Sequence, residues 1–230
     1  MIENIKKVQE KGWILFDNPL NSHAKTFIFS VENKNDKQRY DIYKNIENQV
    51  DNNINFKMYL RSFVKYIKEP TTLVNSEKKD PMAINIGFSK FHKLSFSLFS
   101  LFFSKIFKEY FNYFVFYHEI GHTSLHQKIN NTENKYDEIK INYFKEVHSD
   151  FFALFCTLRK LTKKERVDFL NSYLKLRKSK TLSPNELYSK EYSFCLYEYF
   201  LEKENFKNMS FQEIDDKAYQ FVKNLNIINL

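Results

Sequence analysis

Short apolar runs separated by turn residues characterise the first part of the chain and predict β-strands. We expect strands at Trp13–Phe16, Thr26–Val31 and Met82–Ile86. Between the second and third runs, Lys57–Ile67 has apolar residues at helical spacing. The polar stretch that follows, Pro70–Pro81, is bounded by prolines and is predicted to be a loop. This pattern indicates a small sheet accompanied by helix.

Helical periodicity dominates the rest of the chain. It predicts a Phe-rich helix over about Phe91–Tyr110, a second helix over about Phe111–Gln127 and a third over about Ile139–Leu161. The Asn-rich stretch Lys128–Glu138 between the last two reads as a polar loop. The fold class we predict is therefore α+β and predominantly helical.

Three more helices are expected from signatures of helix N-termini. Thr162 with Glu165 and Ser210 with Glu213 have capping-box spacing, and Ser183 precedes a proline and an acidic first turn. The absence of an internal repeat or low-complexity linker favours a single domain over residues 1–230. Its expected parts are an N-terminal α+β segment (1–81), a central core (82–161) and C-terminal helices (162–230).

Composition supports helices and gives little support to nucleic acid as a partner. The 230 residues include only 3 Gly and 4 Pro, so few positions force a turn. The net charge of +8 comes from scattered lysines, and no basic run with interleaved aromatic residues marks a nucleic-acid groove. Cys156 and Cys195 are far apart in predicted helices, which favours reduced core thiols over a disulfide or metal site.

No targeting or membrane-spanning segment is expected. The N-terminal stretch "MIENIKKVQEKG" has no apolar core of the kind a signal peptide carries. The longest uncharged apolar run before the central motif, Leu94–Ser104, has 11 residues, whereas a membrane span needs about 20. These features predict a cytoplasmic protein.

The stretch "HEIGH" places His118, Glu119 and His122 inside the most apolar part of the chain. On a helix the two histidines lie only about 40° apart, on the arc that also carries large apolar residues. Two buried imidazoles without partners would be unfavourable, whereas one Zn²⁺ can take a ring nitrogen from each. Glu119, rotated by about 100°, lies where a general base can take a proton from water at the metal.

A second set of polar residues, "EVHSD", follows in the next predicted helix. Glu146 and Asp150 are four residues apart and border that helix's apolar face, so a positive partner is expected to meet them. We assign Glu146 as the third zinc ligand. Asp150 is expected to accept a hydrogen bond from the far ring nitrogen of a zinc histidine, His118 being the best candidate.

The other histidines are weaker candidates for ligands. The Cα of His126 would lie about 12 Å along the helix from that of His118, which favours a helix-end or outer role. His148 points away from Glu146 on its helix and is the alternative third ligand. His23 and His92 have no metal-like neighbours and are expected to be structural. Gly121 is interpreted as allowing close packing or access to a cleft.

Together, "HEIGH" and "EVHSD" resemble the motifs of gluzincin zinc metallopeptidases, and the pattern is most similar to the ImmA/IrrE-like metallopeptidases. A membrane-free relative of the HtpX type is an alternative. The resemblance covers roughly Met82 to Leu158. It implies a zincin-like fold with a small sheet and an active-site helix, and it implies a regulatory protein or repressor as substrate. In such folds the strand before the active-site helix, here "AINI" (Ala83–Ile86), borders the substrate cleft.

The function we expect is hydrolysis of peptide bonds in a protein substrate by a cytoplasmic metalloendopeptidase with one zinc per chain. His118, His122 and Glu146 would be the ligands and Glu119 the general base. A tyrosine of a later helix is expected to stabilise the oxyanion, the candidates being Tyr188, Tyr192, Tyr197 and Tyr199. Two alternatives remain: a catalytically silent binding protein with this fold, and a basic nucleic-acid-associated protein with a structural metal.

Overall fold

The computed structural model describes residues 2–51, 53–74, 80–87, 103–127, 135–179 and 208–224; for residues 2, 135–140 and 177–179 it describes the backbone only. The chain divides into two compact units, Met1–Leu98 and Phe99–Leu230. Helices outnumber strands, and the strands form a single small sheet within the described ranges, so the predicted α+β, mainly helical class is confirmed.

The first unit combines three helices with a four-stranded mixed sheet in its described part. In chain order the elements are α1 (Ile2–Lys11), β1 (Trp13–Phe16), β2 (Thr26–Phe29), α2 (Asp36–Glu47), α3 (Ile54–Tyr66), β3 (Thr71–Leu73) and β4 (Met82–Asn85). The strand order is β1-β2-β4-β3. The central pair, β2 and β4, is parallel, and each outer strand is antiparallel to its neighbour.

The core of this unit lies between the sheet and helices α2 and α3. Every residue of β2 and β4 is buried, as expected for strands covered on both faces. Phe27 and Phe29 of β2 belong to one apolar cluster with residues of α2 and α3 such as Ile46 and Leu60. Burial of these side chains, worth about 1.5–3 kcal/mol each, stabilises the sheet against the helices.

Two expectations for this unit are wrong. The stretch Pro70–Pro81 was predicted to be a loop, but it contains β3, whose residues Thr71–Leu73 pair with β4. Pairing with an existing strand outweighs the weak local preference of a short polar stretch. Because β4 is paired on both sides, the strand at "AINI" has no free edge to offer an extended substrate.

The second unit is helical in its described part. Its elements are α4 (Lys105–Gly121), a 3₁₀ turn (Leu125–Gln127), α5 (Lys135–Leu158), α6 (Lys163–Ser179) and α7 (Phe211–Asn224). Helix α5 packs against α4 and α7, and α4 also packs against α6. The last third of α5, from Phe151 to Leu158, is buried throughout and forms the centre of the unit.

The helix predictions hold for the most part, with one informative error. The capping boxes at Thr162 and Ser210 are confirmed. The backbone N–H of Thr162 donates to the Glu165 carboxylate at 2.8 Å, and that of Ser210 donates to the Glu213 carboxylate at 2.7 Å. The helix predicted to run from Phe111 to Gln127 instead begins at Lys105 and ends at Gly121. The loop predicted over Lys128–Glu138 is wrong for its last four residues, because α5 already begins at Lys135. The parts predicted for residues 91–102 and 128–134, and the helix expected after Ser183, lie outside the described residues.

Within the described ranges, no helix combines the length and the apolar character that a bilayer crossing requires.

Close contact between α4 and α5 depends on Gly121, the last residue of α4. A Cβ atom built on Gly121 would lie 2.8 Å from the Cα of Ser149 on α5, closer than side-chain and backbone carbons approach. The interpretation of Gly121 as a packing glycine is therefore confirmed. A backbone atom cannot rotate away, so a larger residue would force the two helices apart.

We predict that Gly121→Ala destabilises the protein. Alanine gains at most about 1 kcal/mol in helix propensity, whereas forcing a methyl group into a close-packed contact costs about 1–3 kcal/mol. The free energy of unfolding, measured by chemical denaturation, should fall. Asn112→Ala on the exposed face of α4 is the matched control and should leave stability unchanged or slightly raised. Equal stability of the two variants would show that the contact can relax.

Candidate metal centre

The side chains of His118, His122 and Glu146 converge at the place where α4 and α5 meet. His118 lies in the last turn of α4, and His122 is its C-cap residue. His122 keeps helical backbone angles (φ −64°, ψ −14°), so the two rings remain one turn apart although the helix ends. Their Nε2 atoms are 3.2 Å apart. From α5, Glu146 Oε2 lies 3.4 Å from His118 Nε2, and Glu146 Oε1 lies 3.5 Å from His122 Nε2.

These distances fit a tetrahedral zinc site. Zinc bonds to histidine nitrogen and carboxylate oxygen are about 2.0–2.2 Å long, so two ligands of a tetrahedron are about 3.3–3.5 Å apart. The two imidazole nitrogens, 3.2 Å apart, and the contacts of 3.4 and 3.5 Å that Glu146 makes through its two oxygens are close to that spacing. The three residues brought together are the ones predicted as ligands, and they could hold a metal ion.

Asp150 fixes the ring of His118. Its Oδ1 lies 2.9 Å from His118 Nδ1, as predicted. A carboxylate only accepts, so Nδ1–H donates to Asp150, and a neutral ring then presents the lone pair of Nε2 to the ligand position. The second oxygen of Asp150 accepts a hydrogen bond at 2.8 Å from the hydroxyl of the buried Tyr173 on α6. Asp150 is therefore held at both oxygens.

The ionisation of the site in the absence of metal shows that it favours one positive charge. Burial acts to lower the pKa of His118, but its hydrogen bonds to Asp150 and Glu146 outweigh burial and raise the pKa to about 10. Burial, followed by the charge of His118, lowers the pKa of His122 to about 4. The His118 hydrogen bond and charge lower the pKa of Glu146 against the effect of burial. Without metal, His118 carries a second ring proton, and its imidazolium is the positive charge of the site.

Glu119, the predicted general base, lies between the two histidines in sequence and is buried, with 5% of its surface exposed. Because it follows His118 directly on α4, its side chain leaves the helix about 100° from the ligand stripe. Glu146, in contrast, is exposed over 58% of its side chain. The ligand position is thus open on the side of Glu146.

His148 and His126 are directed to other partners. His148 is fully buried, its ring stacks on Phe144, and its Nε2 lies 3.3 Å from Asp215 Oδ1. Burial lowers the pKa of His148 to about 3, so the ring is neutral. It does not belong to the group of ligand atoms around His118, and the alternative of His148 as third ligand finds no support.

His126 is not a continuation of the helical series. It lies in the 3₁₀ turn, where its ring stacks on Tyr219 with centroids 4.3 Å apart. Its Nε2 is 2.8 Å from Asp216 Oδ1 of α7. His126, Asp215 and Asp216 form a second group that could hold a metal, but 2.8 Å is the length of a charge-assisted hydrogen bond. We therefore interpret this group as a hydrogen-bonded histidine–carboxylate pair.

Sequence reasoning missed three residues around the site: Tyr173, Gln127 and Asp215. Tyr173 fits the apolar spacing of its helix and carried no sign of a polar role. Gln127 accepts from His122 and donates to His148, contacts that depend on a turn which the periodicity did not reveal. Asp215 comes just after a capping box, where the sequence predicts an exposed helical turn.

The remaining candidates contribute nothing to the site in the described part of the chain. His23 is exposed in a turn of the first unit, and Cys156 is a buried free thiol whose pKa is raised by burial. The tyrosines proposed as oxyanion donors, together with His92 and Cys195, lie outside the described residues.

Comparison with models of protein families, with curated proteins and with solved structures finds no match to this chain. The assignment of the site therefore rests on the residues and their geometry.

We predict that zinc binding releases one proton near neutral pH. His118 holds two ring protons below its pKa of about 10, and it must lose the one on Nε2 to bind metal, whereas His122 is already neutral above about pH 4. Apparent zinc affinity should therefore rise about tenfold per pH unit between pH 6 and 9. Competition with a chromophoric chelator at three pH values measures this slope. Zinc affinity that does not change with pH would show that no ligand loses a proton on binding. A hundredfold rise per pH unit would show that both histidines lose one.

Proposed function

We propose that the protein is a zinc-dependent metallopeptidase of the gluzincin type, with a zincin-like arrangement of its two motif helices. The observation that carries this proposal is the convergence of His118, His122 and Glu146 from α4 and α5, with contacts of 3.2 to 3.5 Å between their nitrogen and oxygen atoms. It is accompanied by a buried glutamate directly after the first histidine, which is the position that the general base of such enzymes takes.

In the proposed enzyme His118, His122 and Glu146 hold the zinc, and Asp150 keeps the His118 ring in its binding orientation. When bound, zinc supplies a Lewis acid that lowers the pKa of water to about 7 and polarises the scissile carbonyl. Glu119 accepts the proton of the attacking water and passes it to the nitrogen of the leaving amine.

The open side of the site supports a substrate that enters past Glu146. Since the side chain of Glu146 is more than half exposed, a zinc ion held by these residues could be reached from solvent past Glu146. A protein substrate is part of the proposal and rests on the motif residues. A regulatory protein or repressor as that substrate rests on the resemblance of the motifs.

Metal content tests the ligand set. Mass spectrometry of the native protein should find one zinc in the wild-type chain, none in His122→Ala and a weakened site in Glu146→Ala. His148→Ala should retain one zinc, because His148 is not among the ligand atoms. Loss of zinc in His148→Ala with retention in Glu146→Ala would overturn the assignment of the third ligand.

The role of Glu119 is tested by Glu119→Gln, which keeps the size of the side chain and removes its basicity. We expect zinc content to be unchanged and cleavage of a proteome-derived peptide mixture, read by mass spectrometry, to fall by about 10²–10⁴-fold. Glu109→Gln on the exposed surface of α4 is the matched control and should cleave like the wild type. A zinc-loaded wild type that cleaves no peptide would identify a binding protein without turnover.

A further inference from the structure

The side-chain amide of Gln127 faces Nδ1 of His122, the ring nitrogen opposite the proposed ligand atom Nε2. Gln127 lies at the end of the 3₁₀ turn and is 5% exposed. Its Oε1 is 3.2 Å from His122 Nδ1. On its other side, its Nε2 donates to α5: to the Lys145 carbonyl at 3.1 Å and to Ser149 Oγ at 2.8 Å.

The orientation of this amide is determined by the Lys145 carbonyl. A backbone carbonyl can only accept, so the NH₂ group must face it, and the reversed amide would place two acceptor oxygens 3.1 Å apart. The Gln127 oxygen is consequently the atom that faces His122. An amide oxygen accepts, so His122 carries its proton on Nδ1 and presents the lone pair of Nε2 to the ligand position.

A third group on α5 lies beside the same NH₂ group. Gln127 Nε2 is 2.9 Å from His148 Nδ1, so its two N–H groups face three acceptors, and His148 Nδ1 is the unprotonated ring nitrogen on this side. The proton of His148 is then on Nε2, which faces the main-chain carbonyl of Asp215 at 3.4 Å. All three residues are nine-tenths or more buried. A continuous buried chain of polar contacts therefore leads from α7 through His148 and Gln127 to His122.

We propose that Gln127 is a positioning residue for zinc, which sets the tautomer and the ring orientation of His122 as Asp150 does for His118. The proposal rests on the zinc site of the proposed function, and it adds a residue that lies outside both sequence motifs. It also assigns a role to His148, which supports the Gln127 amide and does not bind metal.

The two histidines are thus oriented by groups of different charge. Asp150 brings a negative charge to His118, whereas Gln127 is neutral. A carboxylate in place of the Gln127 amide would point an oxygen at the Lys145 carbonyl, and it would leave Ser149 and His148 without their shared donor. The surroundings of residue 127 therefore select an amide over an acid.

The test compares zinc affinity in Gln127→Met with that of the wild type. Methionine preserves the volume and removes both the acceptor for His122 and the donors to α5. We expect affinity, measured against a chromophoric chelator, to fall by about 10–100-fold, the range typical for groups that orient metal ligands. Gln212→Met is the matched control, because Gln212 is exposed on α7 and its hydrogen bond goes to Asp216 and not to a proposed zinc ligand. The zinc affinity of this variant should equal that of the wild type.

A spectroscopic measurement on the zinc-loaded wild type keeps the proposal testable if Gln127→Met does not fold. Long-range ¹H–¹⁵N spectra of ¹⁵N-histidine-labelled protein report which ring nitrogen carries the proton. We expect His122 to be protonated on Nδ1, with slow exchange of that proton. Binding of zinc through His122 Nδ1, or a rapidly exchanging proton there, would overturn the proposal.

The outcomes separate this proposal from the proposed function. A wild type that binds zinc while a folded Gln127→Met binds it equally well refutes the role of Gln127 and leaves the peptidase proposal standing. A 10–100-fold difference in zinc affinity without any peptide cleavage supports Gln127 and refutes the peptidase. A wild type that binds no zinc overturns both.

Discussion

The candidate metal centre depends on the close crossing of α4 and α5. Without a side chain at Gly121, the end of α4 lies against Ser149 at a distance that no other residue would permit. The residues on either side of Ser149 on α5, Glu146 and Asp150, consequently reach the histidine rings of α4. A separation larger by the thickness of a methyl group would take the carboxylate of Glu146 out of the distance range that zinc requires.

The crossing also concentrates charge, and this concentration makes the site chemically unusual. Two carboxylates meet one imidazole, and the result is a histidine whose pKa is raised although burial alone would lower it. His122, four residues later, shows the opposite shift, because burial and then the positive charge of the His118 ring lower its pKa. Pairs of titratable groups with pKa values driven apart in this way are characteristic of functional sites. A divalent cation would neutralise the charge of the same two carboxylates, so that His118 would not need its second ring proton.

Much of this arrangement could be predicted from sequence because helical spacing is a local property. The i,i+4 separation of His118 and His122 and that of Glu146 and Asp150 each place two side chains on one stripe, and the structure brings the two stripes together. The exact end of α4 could not be predicted. Apolar residues continue at helical spacing beyond Gly121, and only packing against α5 and α7 determines that the chain turns there. Strand β3 was missed for the same reason, since its stability comes from pairing with β4.

The unpredicted end of α4 has a direct chemical consequence. Had the helix continued to Gln127, as the periodicity indicated, that side chain would lie about 140° around the axis from His122 and could not face its ring. The turn after His122 brings the Gln127 amide to the ring, where the Lys145 carbonyl fixes its orientation. The neutral amide is also the choice that charge balance favours. Glu146 and Asp150 already bring two carboxylates to the site, which one divalent cation would balance, and a third beside His122 would leave excess negative charge. The turn therefore gives the second histidine an acceptor without adding a charge.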